Sequence, residues 1–138
     1  MRLLFANIGW MEHYKGNCKA DMIVGGGSWD NNDKHEAFNF QDLNGSCYGY
    51  VQAVRGKINL SRIDKSVSKS DAMIDKVLVV WVAKRPDSDG SYIVGWYNNA
   101  TVYADYHSSK SSARNRYSYN IVAKKDDCVL LPVDLRTM

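Results

Sequence analysis

Apolar positions in this chain fall mostly in short runs bounded by Gly, Pro, Asn and Asp, the pattern of strands joined by turns. Arg2 to Ile8 is such a run, closed by Gly9, and reads as a buried first strand. Met11 to Lys34 carries Gly16, Gly25-Gly26-Gly27 and Asp30-Asn31-Asn32-Asp33, so it reads as loop around one short strand at Met22 to Val24. Ala37 to Phe40 and Cys47 to Val54 read as a hairpin through Asn44-Gly45, a tight-turn dipeptide. Val77 to Ala83, rich in β-branched residues, predicts a central strand buried on both faces. Pro86 with Asp89-Gly90 turns the chain so that Ser91 to Tyr97 returns antiparallel to it, and Asn98-Asn99 predicts a further turn into Ala100 to Tyr106. Tyr119 to Ala123 and Cys128 to Leu131 follow as strands.

One segment breaks the strand pattern. In Lys57 to Val67 the apolar Ile58, Leu60, Ile63 and Val67 have helical spacing, which predicts an amphipathic helix of two to three turns capped by Asn59 or Ser61. Many short strands with one or two short helices give an α+β, mainly β fold, in the form of a small closed or half-open β-barrel.

At 138 residues, with 45% hydrophobic and 24% charged positions, the chain is sized for one domain with one core. Neither a linker nor a repeat divides residues 1–138. The tail Val133-Asp134-Leu135-Arg136 reads as though the chain continued, so a domain excised from a longer protein is expected. Cys18, Cys47 and Cys128 are odd in number and widely spaced, and they read as reduced thiols of a cytoplasmic protein. The apolar start breaks at Asn7, too early for a signal sequence or a membrane span.

Charge adds a direction. The net charge of +3 is too small to imply nucleic acid by itself, yet no acidic residue occurs from His107 to Lys125. Lys110, Arg114, Arg116, Lys124 and Lys125 lie there with Tyr117 and Tyr119, forming a candidate phosphate-facing strip. Motif chemistry is sparse. His13, His35 and His107 lack the spacing of a metal-dependent nuclease, and Gly25-Gly26-Gly27-Ser28 lacks the lysine and helix of a phosphate loop. Neither a cofactor nor a metal is expected. His35-Glu36 is the one pair suited to acid–base work, while Cys47 sits in an apolar strand without a neighbouring base.

Four tryptophans and nine tyrosines are the conspicuous resource. Rings stack on a flat base and asparagine amides bond its edge, and both types occur in Gly95-Trp96-Tyr97-Asn98-Asn99-Ala100-Thr101-Val102-Tyr103. Trp96 and Tyr97 must face opposite sides of a strand, so one of them belongs to the core. Trp81, inside the most apolar run, is assigned to the core. Extruding one base from a duplex needs a ring cage, edge-reading groups and a basic rim. Trp10, Tyr14, Trp29, Trp96 and Tyr103 are the cage candidates, and Arg85, Lys110, Arg114 and Arg116 the rim.

Leu-Phe-Ala-Asn-Ile-Gly-Trp-Met (4–11), Ile-Val-Gly-Gly-Gly-Ser (23–28), His-Glu-Ala-Phe-Asn-Phe (35–40), Tyr-Gly-Tyr-Val-Gln (48–52) and the 93–103 segment resemble the amino-terminal domain of HNH endonucleases of the McrA-like, modification-dependent type. In outline the chain is also similar to the PUA-like superfamily, which includes EVE, ASCH and YTH domains. The resemblance implies a PUA-like barrel that reads a modified base, such as 5-methylcytosine, in double-stranded DNA and delivers a separate nuclease. Cutting activity is not implied, because the nuclease motif is missing. Within the resemblance the base-pocket residues are Trp10, Trp29, His35, Asn39, Trp96, Tyr97, Asn98 and Tyr103. Three other readings compete: an RNA-binding PUA-like domain, a small-molecule or nucleotide-processing enzyme using His35 and Glu36, and a protein-interaction module.

Overall fold

A computed structural model describes residues 1–25, 35–68, 70–108 and 118–137. Seven strands form one sheet: β1 (Arg2–Ile8), β2 (Asp42–Leu43), β3 (Ser46–Gly49), β4 (Met73–Lys84), β5 (Ser91–Ser108), β6 (Ser118–Lys124) and β7 (Cys128–Leu130). Their spatial order is β1-β4-β5-β6-β3-β2, and β7 lies against the first half of β5. Only β1 and β4 run parallel. The mainly β fold thus agrees with the sequence pattern, but the expected barrel does not form. The sheet ends at β1 on one side and at the two-residue β2 on the other, and these ends do not pair.

The core lies on one face of this sheet. Val77, Val79, Trp81 and Ala83 of β4 are buried, with Ala6 and Ile8 of β1, Val94, Tyr97, Ala100 and Val102 of β5, and Ile121 of β6. Met11, Tyr14, Phe38, Phe40, Leu60 and Val67 cover them from turns and loops rather than from a second sheet. Leu78, Val80 and Val82, on the opposite face of β4, are only half-buried. The run Val77 to Ala83 is therefore central but buried on one face, which corrects the two-face expectation. Trp81 is core, as assigned.

Two local conformations depart from the sequence pattern. Asn98 and Asn99 do not reverse the chain. They face the single residue Leu78 across the ladder, forming a bulge in a continuous β5, with Asn99 at φ 54°. Asparagine tolerates the left-handed region in turns and bulges alike, so the dipeptide marked the irregularity but not its kind. Lys57 to Val67 holds only a 3₁₀ turn at Leu60–Arg62, not the expected helix. The Asn59 side chain takes the Ser61 N–H and Oγ, and the Asp64 side chain takes those of Ser66. These short polar side chains satisfy the local backbone outside a helix. The apolar spacing still worked: Leu60 and Val67 are buried.

Asn44-Gly45 makes the β2–β3 turn, with φ of 55° and 89°. Its first arm is shorter than expected, because His35–Phe38 is a 3₁₀ turn. The expected strand at Met22 to Val24 reduces to a bridge between Trp10 and Val24. Among the described residues, no helix is long and apolar enough to cross a membrane. Cys18, Cys47 and Cys128 are free thiols. The Cys128 thiol donates to the Lys124 carbonyl at 3.3 Å, and the interaction between the Cys47 and Cys128 sulfurs favours the Cys47 thiolate, lowering the Cys47 thiol and raising that of Cys128 from their ordinary range.

Candidate nucleic-acid interface

The residues nominated from sequence are distributed over four places. Tyr97 and Asn39 lie in the core. The Tyr97 hydroxyl donates to the Asn39 carbonyl, and its ring packs edge-on against Phe40 and Trp81, at 5.5 and 5.1 Å between centroids. The Asn39 amide bonds the Tyr50 backbone both ways, accepting from its N–H at 2.8 Å and donating to its carbonyl at 3.1 Å. Tyr14 is also core: it is fully buried, its hydroxyl donates to the Gly9 carbonyl, and burial holds it above the ordinary tyrosine range.

Trp10 and Arg85 sit together at the β4–β5 turn. The Arg85 guanidinium lies 5.5 Å from the Trp10 ring and 5.7 Å from that of Tyr92, and it is paired with Asp87 at 2.7 Å. A second cation joins from the C-terminal segment. Arg136, buried, stands 4.7 Å over Trp10 and donates to the carbonyls of Leu131, Met11 and Glu12. Desolvation lowers its pKa, yet arginine stays charged, so three carbonyl acceptors and the ring face offset its burial. The cluster fastens the tail to the loop after β1.

Trp96 is half-buried on the outer face of the sheet, in register with Val80 and Val129, opposite in direction to Tyr97 as strand alternation requires. Asn98 is exposed in the bulge beside it.

Tyr103 and His35 belong to the far end of β5. Tyr103 lies eleven residues beyond Tyr92 along β5, and its ring meets His107 and Tyr119 while Tyr92 meets Trp10 and Arg85, so the two belong to different clusters. There Tyr103 meets His107 at 4.1 Å and Tyr119 at 6.3 Å, His107 meets Tyr119 at 5.7 Å, and Tyr48 meets Tyr119 at 4.9 Å. The three tyrosines are half-buried and His107 is exposed. Beside them Tyr50 is stacked between His35, at 4.7 Å, and Tyr106, at 5.1 Å. The His35 Nδ1 accepts the Ser118 N–H at 2.8 Å, which makes Nδ1 the unprotonated nitrogen of the ring.

That last bond defines the site's position. His35 follows residues 26–34 and Ser118 follows residues 109–117, so the described ends of both segments meet at one point beside the rings. Trp29, Lys110, Arg114 and Arg116 belong to those two segments and lie outside the described residues. The large irregularity in the β5–β6 ladder, between Val102 and His107, is what lets four β5 residues bulge here. Of the residues at this end, the sequence nominates Tyr103 and His35 for the pocket and Tyr119 for the basic strip. The participation of Tyr48, Tyr50, Tyr106 and His107 required the pairing of β3, β5 and β6.

His35 and Glu36 each serve a backbone group of another segment. Glu36 is buried and its Oε1 accepts the Gly9 N–H at 2.9 Å, while His35 bonds Ser118. Among the described residues, no three His, Cys, Asp or Glu side chains group to hold a metal ion. No family model, curated protein or solved structure matches the chain.

Proposed function

We propose that the chain is a DNA-binding module that reads a modified base, with the base turned out of the duplex against the rings at the β5–β6 end. The observation that carries this reading is the contiguous cluster Tyr48, Tyr103, His107 and Tyr119, partly open to solvent where the basic segment leaves β5 and rejoins at β6. Tyr103 and His107 supply stacking surface, and Lys110, Arg114 and Arg116 supply phosphate contacts from the segment tethered there. Trp10, Arg85, Asn39 and Tyr97 drop out of the pocket in this reading, because each serves the fold elsewhere. Delivery of a separate nuclease rests on the sequence resemblance alone.

A second reading is supported by the openness of the sheet face. Rings spread along adjacent strands also form a stacking platform for single strands, the arrangement by which sheets hold RNA. One experiment separates the two. Fluorescence polarisation is measured with labelled duplexes differing in one modified base, and with matching single strands, at two salt concentrations. The reader gives tighter binding to one modified duplex and a steep loss with salt; preference for single strands supports the platform. Tyr103→Ala is expected to weaken binding by roughly five- to a hundredfold, the cost of about 1–3 kcal/mol of lost stacking. Indifference to every nucleic acid, or to Tyr103→Ala, overturns both.

A further inference from the structure

On the side of the sheet away from β2, the outer edge of β1 forms one wall of a groove of 1220 Å³. The opposite wall is the stretch from Val51 to Ile63, and half-buried Leu4, Val51, Ile58, Ile63 and Ala104 give the groove an apolar lining. Among the described residues, the backbone of Leu3–Asn7 makes no hydrogen bond outside its ladder with β4. A row of N–H and C=O groups therefore faces the groove without backbone partners among the described residues.

Exposed strand edges are ordinarily guarded by proline, charge, a bulge or brevity. β1 has none of these between Leu3 and Ile8: it is seven residues long, regular in register, and uncharged after Arg2. Leu3 and Phe5 are 38% and 58% exposed, and Val54 across the groove is 84% exposed. Cations outnumber anions along the groove, with Arg55, Lys57 and Arg62 against Asp71 and Asp105. Lys57 is paired with Asp105, whereas Arg55 and Arg62 form no ion pair among the described residues. Arg55 is also held at φ 62°, ψ 22°, a left-handed conformation that a non-glycine residue adopts at some cost.

We propose that β1 accepts an added strand: an extended segment of a partner protein, apolar at alternate positions and acidic at its flanks, lies in this groove. Its backbone pairs with Leu3–Asn7, its apolar side chains fill the space beside Leu4 and Ile58, and its carboxylates meet Arg55 and Arg62. Charge selects against a second copy of the chain in this position. Pairing two β1 edges brings Arg55, Lys57 and Arg62 of both copies to one seam, where they outnumber Asp71 and Asp105 and leave an excess of like charge. None of the ring residues lines the groove, although Val51, Ala104 and Asp105 of its lining adjoin Tyr50, Tyr103 and Tyr106 in the chain, and the proposal rests on the β1 edge whether or not the chain binds nucleic acid.

The test uses the full chain, isotopically labelled, and a synthetic peptide of about seven residues, matching the length of β1. The peptide alternates valine and threonine and carries glutamate at each end. Binding is expected to shift and protect the amides of Leu3–Asn7. N-methylation of alternate peptide nitrogens on the β1-facing side is expected to abolish binding, and Arg55→Ala with Arg62→Ala to weaken it about tenfold. Absence of any shift at millimolar peptide overturns the proposal, as does equal binding by the N-methylated peptide. Dimerisation through β1 in sedimentation, undisturbed by peptide, replaces the partner segment with a second copy and also overturns it.

Discussion

Two asparagines show how a polar side chain can serve the backbone. Asn39 bonds both backbone groups of Tyr50, and Asn120 bonds both of Val51, accepting from its N–H at 3.1 Å and donating to its carbonyl at 2.9 Å. Asn39 pairs with the Tyr50 backbone as a peptide of a neighbouring strand would, and Asn120, a residue of β6, uses its side chain to hold Val51 just past the end of the β3–β6 ladder. The asparagine and tyrosine content of the sequence is equally compatible with base recognition. The bonds differ only in whether the amide faces a ligand or Tyr50, and composition does not encode that. Asn39→Ala removes the bonds that the Asn39 amide makes to the Tyr50 N–H and carbonyl, at about 1–3 kcal/mol each. A loss of about 2–5 kcal/mol in urea-unfolding free energy is expected, with unchanged nucleic-acid affinity in the fraction that remains folded. Weakened binding at full stability would return Asn39 to the pocket.

At the scale of elements, what was legible depended on local pattern. Short apolar runs bounded by turn residues located β1, β6 and β7 closely and the inner part of β4, while the alternation of burial along β4 emerged only in the fold. Irregular backbone was located without being identified: Asn98-Asn99 gave a bulge and not a turn, and Lys57 to Val67 kept its buried positions without a helix. Pairing partners were illegible for a different reason, since they depend on residues far apart in the chain. Gly95 is an example. Paired to Leu130 across the ladder, it brings β5 so close to β7 that a Cβ would stand 2.3 Å from the Val129 carbonyl oxygen and 2.9 Å from the Phe40 ring. One obstacle is backbone and the other a buried ring, so the strands must part. Gly95→Ala is expected to cost about 2 kcal/mol or more and to speed amide exchange in Cys128–Leu130. Gly45→Ala, at φ 89° with open space around it, provides the contrast: a loss of about 1–2 kcal/mol from backbone strain alone and no effect on β7. Equal costs would show that β7 does not depend on this close approach.

Across the whole molecule, a single-faced core makes the attachment of the covering segments decisive. Residues 57–68 supply Leu60 and Val67 to the core, and they are tied to the edge of the sheet by Arg2, whose Nε bonds the Asp64 carboxylate at 2.8 Å. The hydrogen bonds from the Ser66 hydroxyl and N–H, and then from Arg2, lower the Asp64 pKa from 3.8 to about 2. The fold therefore favours the carboxylate. Its contribution is complete above the unfolded value near 3.8, declines as pH falls, and is gone once pH passes below about 2. Asp64→Asn retains an acceptor for Ser66 but loses the charge that meets Arg2. The variant is expected to be less stable than the parent at about pH 6, with a gap that narrows between about pH 4 and pH 2 until the two unfold together. Urea midpoints measured across that range check it. Taking the difference between parent and variant removes the titration of the other carboxylates, provided they lie far enough from Asp64 to act independently. A gap that persists at the acid end would mean that Asp64 acts through shape at the turn, and that charge is not what fastens the segment to β1.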